Sequence, residues 1–175
     1  FATGGDGFAA AFSTPDDALD AAIEGQRKLM DHANDSSIVL RVRMGLHAGT
    51  AEERDGNYFG PALNLAARIM SCAWGGQVLA SAVCASLSDR SVTVTALGPV
   101  RLAGVDLPVE VCQITPQGLG GEFPPLRTLD NVPNNLPRLR TTFVGREPEI
   151  EAIVDDLGGG LWSRSPVSAV SARLD

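Results

Sequence analysis

Apolar and polar positions along this chain keep two rhythms, one of period two and one near 3.6, and they change places several times. Phe1 to Phe12 reads as a hairpin: Phe1 and Thr3 lead into Gly4-Gly5-Asp6-Gly7, and Phe8 to Phe12 returns. Thr14-Pro15-Asp16-Asp17 opens a helix, with a capping hydroxyl, a proline in the first turn and acids at the positive end. Its apolar stripe is Leu19, Ala22, Ile23, Gln26, Leu29 and Met30, and Asp31 to Ser37 reads as a polar loop. Ile38 to Gly49 alternates as a strand, with Leu40, Val42, Met44 and Leu46 on one side and Arg41, Arg43, Gly45 and His47 on the other. His47 reads as a partly buried structural histidine and is given no chemical role.

A charged loop over Ala51 to Asn57, turning at Asp55-Gly56, delivers the chain to Gly60-Pro61, which opens the second helix. At about 100° per residue, Ala62, Leu63, Leu65, Ala66, Ala67, Ile69 and Met70 cover most of that helix. Asn64, Arg68 and Ser71 share one narrow wedge, with Asn64 and Arg68 a single turn apart. An amphipathic helix showing water its polar stripe would look the same. Asparagine is a mediocre helix former, however, and here it interrupts a run rich in alanine and leucine. The helix ends at Trp74-Gly75-Gly76, and Gln77 to Ala80 follows as a short buried strand. Ser81 caps a short helix reaching Leu87, and Val92–Thr95, Leu97–Leu102 and Leu107–Ile114 read as further strands.

Beyond Thr115 the rhythm is lost. Gln117 to Asn135, with its glycines, prolines and asparagines, reads as linker. Glu147 to Leu157 is helical, with Ile150, Ile153, Val154 and Leu157 on one side. Leu161 to Asp175 has no clear pattern.

Composition narrows the possibilities. The 175 residues are 44% hydrophobic and 20% charged, enough for a sizeable core. A net charge of -7 argues against a non-specific nucleic-acid surface, and the four arginines between Arg127 and Arg146 are too sparse for a patch. Three cysteines without paired spacing suggest a reducing compartment, and nothing resembles a signal peptide or spanning helix, so a cytoplasmic protein without membrane contact is expected. The chain opens at Phe1, inside an expected strand and without methionine, so a fragment lacking its N-terminal part is expected.

Four stretches now fall into order. Gly5-Asp6-Gly7-Phe8, Arg43-Met44-Gly45-Leu46-His47-Ala48-Gly49, Tyr58-Phe59-Gly60-Pro61-Ala62-Leu63-Asn64-Leu65-Ala66-Ala67-Arg68 and Gly75-Gly76-Gln77-Val78-Leu79-Ala80-Ser81 together resemble the catalytic domain of class III adenylate/guanylate cyclases. Leu97-Gly98-Pro99-Val100-Arg101-Leu102 resembles that domain's end. The resemblance covers residues 1–115 as the C-terminal part of a cyclase domain. It implies an α+β fold: a ferredoxin-like sheet with helices packed on one face, its first strand and following helices missing. One sheet edge and one helix face would then be uncovered.

The resemblance also implies a chemistry in which the ribose 3′ hydroxyl of ATP or GTP attacks the α-phosphate and expels pyrophosphate. Two divalent ions, Mg2+ or Mn2+, serve that reaction. Asp6 matches one metal-binding aspartate; the other would lie on a first strand outside this chain. Arg68 matches the arginine that stabilises charge on the transferring phosphate, and Asn64 the residue that orients the ribose. Ala2 stands where many adenylate cyclases carry a base-reading lysine, and Asn57 where they carry an aspartate, so base preference is open. The implied assembly is a head-to-tail homodimer with shared active sites, in which Asp6 and Arg68 of one chain serve different sites. The fragment alone is expected to be inactive and prone to aggregate.

Asn135-Leu136-Pro137 and Phe143-Val144-Gly145-Arg146-Glu147 resemble the entry to ATP-binding domains of large bacterial regulators, without the Gly-Lys-Ser/Thr loop. Residues 116–140 are thus expected as linker and 141–175 as the truncated start of an ATPase domain. The competing functional reading is a cyclase-like module that binds nucleotide or a partner without turnover and regulates the attached ATPase. A second metal-binding aspartate upstream would favour the enzyme.

Overall fold

Neighbouring side chains of a strand face opposite sides of the sheet, and the central strand β3 (Val42–Arg54) uses both sides to hold helices. In the computed structural model, which describes residues 2–35, 39–116, 118, 120–128 and 164–174, Met44 packs beneath helix α1 (Pro15–Asp35). A Cβ on Gly25 of α1 would stand 3.2 Å from Met44 Cε. The next residue, Gly45, faces helix α2 (Pro61–Ser71), where a Cβ would come within 2.4 Å of the Met70 amide nitrogen. The two helices therefore cover opposite faces, which corrects the expectation of helices on one face. The α+β class of that expectation holds.

The sheet has eight strands: β1 (Ala2–Gly4), β2 (Gly7–Phe12), β3, β4 (Asn57–Phe59), β5 (Val78–Ser81), β6 (Thr93–Val100), β7 (Val109–Thr115) and β8 (Arg164–Leu174). Its order is β1-β2-β8-β3-β5-β7-β6, with β4 hydrogen-bonded to β3 off that path. A short helix α3 (Ala82–Ser86) starts where the Ser81 hydroxyl accepts from the Cys84 amide at 3.2 Å, the cap that the sequence predicts.

Two apolar cores flank the sheet. Leu19 and Ile23 of α1 meet Met44, Leu46, Val78, Ala80, Cys84 and Ile114 on one face. Ile69 of α2 meets Leu79, Val100, Leu102 and Val111 on the other. Alternation along β5 sorts them: Val78 and Ala80 go one way, Leu79 the other.

Three elements run longer than their local pattern. Helix α1 continues to Asp35, through most of the expected polar loop. Strand β3 continues to Arg54, because Glu52, Glu53 and Arg54 find partners in Phe59, Tyr58 and Asn57 of β4. Asp55 (φ 51) and Gly56 (φ 75) form the connecting turn with both residues left-handed, as tight hairpins favour. Strand β6 absorbs both Val94 and Leu97 by a bulge between Ala96 and Gly98.

The largest departure is β8. It lies between β2 and β3, antiparallel to β2 over Gly7–Phe12 and to β3 over Val42–Glu52. Residues 164–174, expected within a separate tail, are thus part of this sheet. Ala172 joins the core under α1, and Ser171 Oγ lies 3.8 Å from Met70 Sδ of α2. Part of the expected linker is also docked. Trp74 Nε1 donates to the Pro125 carbonyl at 3.0 Å, the Arg127 amide donates to Cys72 O at 3.0 Å, and Gln113 Nε2 donates to Gly121 O at 2.6 Å. The expected helix Glu147–Leu157 and the Phe143-Val144-Gly145-Arg146-Glu147 stretch lie outside the described residues.

Candidate functional site

Helix α2 carries Asn64 and Arg68, and its seat explains why their direction is fixed. Gly45 and Gly49 present bare backbone on one side of β3, and a Cβ on Gly49 would stand 2.9 Å from Ala62 Cβ. Ala62, Ala66 and Ile69 are buried in that seat, which turns the opposite side of α2 outward. Asn64, Arg68 and Ser71 are all exposed there, a turn apart as the periodicity predicts. Among the described residues neither the Asn64 nor the Arg68 side chain is engaged in a hydrogen bond or ion pair. Arg68 Nη2 lies against the β6–β7 turn, 3.7 Å from where a Cβ on Gly104 would be. Ser71 Oγ donates to the Arg68 carbonyl at 2.6 Å and Cys72 follows as C-cap, so the last turn of α2 is tied down.

Asp6 is exposed at the tip of the β1–β2 hairpin, next to Gly5 at φ 60. Its neighbour Gly7 is level with Arg173 of β8, which is level with Arg43 of β3. Ala2 pairs with Ala9, and Ala9 with Ser171, which sets it level with Gly45. Asn57 pairs with Arg54 and is exposed, its Nδ2 3.5 Å from the Asp55 carbonyl. From Gly45 to Arg54 is nine residues (54 minus 45), about 30 Å of strand contour at ~3.3 Å per residue. The structure thus groups Asn64 with Arg68, and spreads Ala2, Asp6 and Asn57 over the two ends of the ladder.

Asp6 offers a hard oxygen on a short turn, the donor type that Mg2+ or Mn2+ takes together with water and substrate phosphates. Among the described residues no three or more His, Cys, Asp or Glu side chains gather into a metal-holding group. The described residues thus show no assembled metal site, and Asp6 would supply one of the two carboxylates that the resemblance implies.

His47 shares the α2 side of β3 with Gly45 and Gly49, its Nε2 3.2 Å from where a Cβ on Gly49 would be. Its Nδ1 lies 2.8 Å from Ser81 Oγ, and burial lowers its pKa below 6.5. The neutral ring bridges β3 to the cap of α3, in line with the structural reading. Cys72, Cys84 and Cys112 are free and buried, and burial pushes the Cys84 thiol up to about 11, well away from thiolate chemistry. The signal that sequence reading passed over is the Gly45 and Gly49 pair. Two glycines four apart in a strand mark a helix lying close on that face.

No protein-family model matches the chain. An uncharacterised protein of Mycobacterium tuberculosis is 38% identical over 151 residues, which cover 83% of this chain and 50% of that protein. The chain thus spans half the length of that relative. Receptor-type adenylate cyclase ESAG 4 of Trypanosoma brucei brucei is 42% identical over 85 residues, 43% of this chain and 7% of its own length. Among solved structures, an adenylate/guanylate cyclase/hydrolase from Silicibacter pomeroyi superposes with a TM-score of 0.55 at 27% identity, covering 61% of this chain and 65% of that one. The fold is the cyclase fold of this neighbour, a mixed α+β sheet with helices. Its sequence and structural neighbours include adenylate cyclases, and no helix among the described residues is long and apolar enough to cross a membrane.

Proposed function

We propose that this chain is part of a nucleotidyl cyclase domain that converts ATP or GTP to a cyclic nucleotide and pyrophosphate. The observation that carries the reading is the outward wedge of Asn64 and Arg68 on a helix locked to its sheet by Gly45 and Gly49. A positioned guanidinium lowers the barrier wherever negative charge grows on a transferring phosphoryl group, because its donors need no reorganisation. Arg68 takes that role. Asn64, one turn earlier, offers both a donor and an acceptor to a ribose, holding the 3′ oxygen in line with the α-phosphate.

Asp6 would hold Mg2+ or Mn2+, which supplies Lewis-acid polarisation of the phosphates when bound. Its place at the tip of the β1–β2 hairpin leaves its carboxylate exposed to a ligand. Asp6 lies beyond β8 and β2 from the strand that seats α2, and that spread supports a head-to-tail homodimer. Each site would take Asp6 from one protomer and Asn64 with Arg68 from the other. Ala2 and Asn57 match the base-reading positions by resemblance, although the ladder sets them at its two ends. Neither carries a charge, which favours weak discrimination between adenine and guanine.

The test is incubation of the full-length protein with Mn2+ and either ATP or GTP, with chromatographic detection of cyclic product. Product from either nucleotide, abolished by Asp6→Asn, supports the reading. Absence of cyclic product from both, with a folded protein, would defeat it.

A further inference from the structure

Three large apolar side chains that water still reaches, Met30, Val39 and Leu40, border one cleft beside the C-terminal half of α1, at 41%, 59% and 38% exposure. Apolar surface gathered around a concavity in this way is the mark of a binding site. The cleft measures about 340 Å3, at the small end of the range for small-molecule sites. Half-buried Leu29 of α1 and Phe123 of the segment after β7 add to its apolar lining. Part of its wall is glycine backbone: a Cβ on Gly76 or on Gly120 would meet nothing within 4 Å.

Gln26 lines the same cleft and is only 5% exposed. Its Nε2 donates to the Val42 carbonyl at 2.8 Å. A carbonyl can only accept, so this bond fixes which way the amide is turned and leaves Oε1 as the other end. Among the described residues no donor reaches that oxygen. A buried acceptor without a donor is unfavourable, and a hydroxyl on a ligand would satisfy it. The same atom selects against charge. An ammonium would exchange its hydration for a single carbonyl, and a carboxylate would meet only lone pairs. The two charged side chains of the lining, Arg41 and Glu122, are exposed and of opposite sign, so neither charge is favoured by them. We propose that the cleft binds a small neutral alcohol with an apolar body the size of one ring, packed on Met30, Leu40 and Phe123, its hydroxyl donating to Gln26 Oε1. The proposal is independent of the cyclase reading.

The three methionines of the chain report on it directly. Met30 borders the cleft, Met44 lies beneath α1, and Met70 belongs to the helix on the other face of the sheet. The full chain, isotope-labelled at the methionine methyl groups, is titrated with benzyl alcohol and followed by NMR. The expected result is a saturable shift of the Met30 signal with Met70 unmoved. Benzyl methyl ether, which keeps the ring and the oxygen and has no donor, should bind about fivefold more weakly, the effect of one neutral hydrogen bond. Gln26→Met should bind the two probes equally; a preference for the alcohol kept by that variant would place the hydroxyl elsewhere and overturn the proposal. Where Gln26→Met does not fold, the comparison of alcohol with ether on the parent chain decides alone. No saturable Met30 shift, a shift of all three methyls together, or equal binding of alcohol and ether by the parent chain also overturns it.

Discussion

Gly45 lies so close beneath Met70 that a Cβ on it would stand 2.4 Å from the Met70 amide nitrogen and 2.6 Å from the Ala66 carbonyl oxygen. The obstacle is backbone on both counts, so no side-chain rotation relieves it. Gly45→Ala must push α2 off the sheet or bend β3. Overpacking of this kind costs on the order of 3 kcal/mol. Urea denaturation should show that loss, with activity of the surviving folded fraction also reduced as Asn64 and Arg68 shift. A Gly45→Ala protein as stable as the parent would show that α2 is not seated on this strand.

Removing the guanidinium from α2 should separate chemistry from folding. Arg68 is exposed, so Arg68→Ala leaves thermal stability within about 0.5 kcal/mol. If Arg68 neutralises developing phosphate charge, cyclase turnover drops by roughly 100-fold to 1,000-fold, comparable to losing one preorganised transition-state donor. Turnover measured with Mn2+ and the preferred nucleotide decides it, and retained activity would remove Arg68 from the site.

The pH dependence of stability follows from His47. Burial depresses its folded pKa below the ordinary 6.5, so the unfolded chain binds more protons between those two values. The contribution is fully present above about pH 6.5 and is lost as pH falls through the folded pKa. Urea midpoints at pH 7.5 and 5.5 should therefore differ more for the wild type than for His47→Gln, which keeps a polar partner for Ser81. Equal differences in both proteins would mean that the histidine is not held neutral in the fold.

A buried amide pair holds the segment after β7. Gln77 Nε2 donates to Gln113 Oε1 at 2.8 Å, and Gln113 Nε2 donates onward to Gly121 O, with Gln77 1% exposed. Gln113→Leu strands both the Gln77 donor and the Gly121 acceptor, at a cost of about 2 kcal/mol. Residues 120–128 should then release, and tryptic cleavage after Arg127 should accelerate before global unfolding. Unchanged cleavage would show that Trp74 and Leu126 suffice to hold the segment.

The sequence by itself determined what depends on neighbours a few residues away. The wedge of Asn64 and Arg68 follows from helical periodicity, the Asp6 turn from its glycines, and the α3 cap from Ser81. Each rests on local geometry that tertiary context left intact. What lay beyond it was decided by pairing across the sheet. Residues 51–54 look like a charged loop until β4 returns alongside, and then a strand is the cheaper way to satisfy their amides. Arg164 to Leu174 has no rhythm of its own, because a strand flanked on both sides takes its register from β2 and β3. The same holds for the two faces of the sheet. Alternation shows that Met44 and Gly45 point apart, but only the packed helices show that α1 rests on one and α2 on the other. Whether the exposed pair on α2 meets a metal carboxylate likewise depends on assembly in three dimensions, since Asp6 stands in the β1–β2 turn, with β2 and β8 between it and the strand that seats α2.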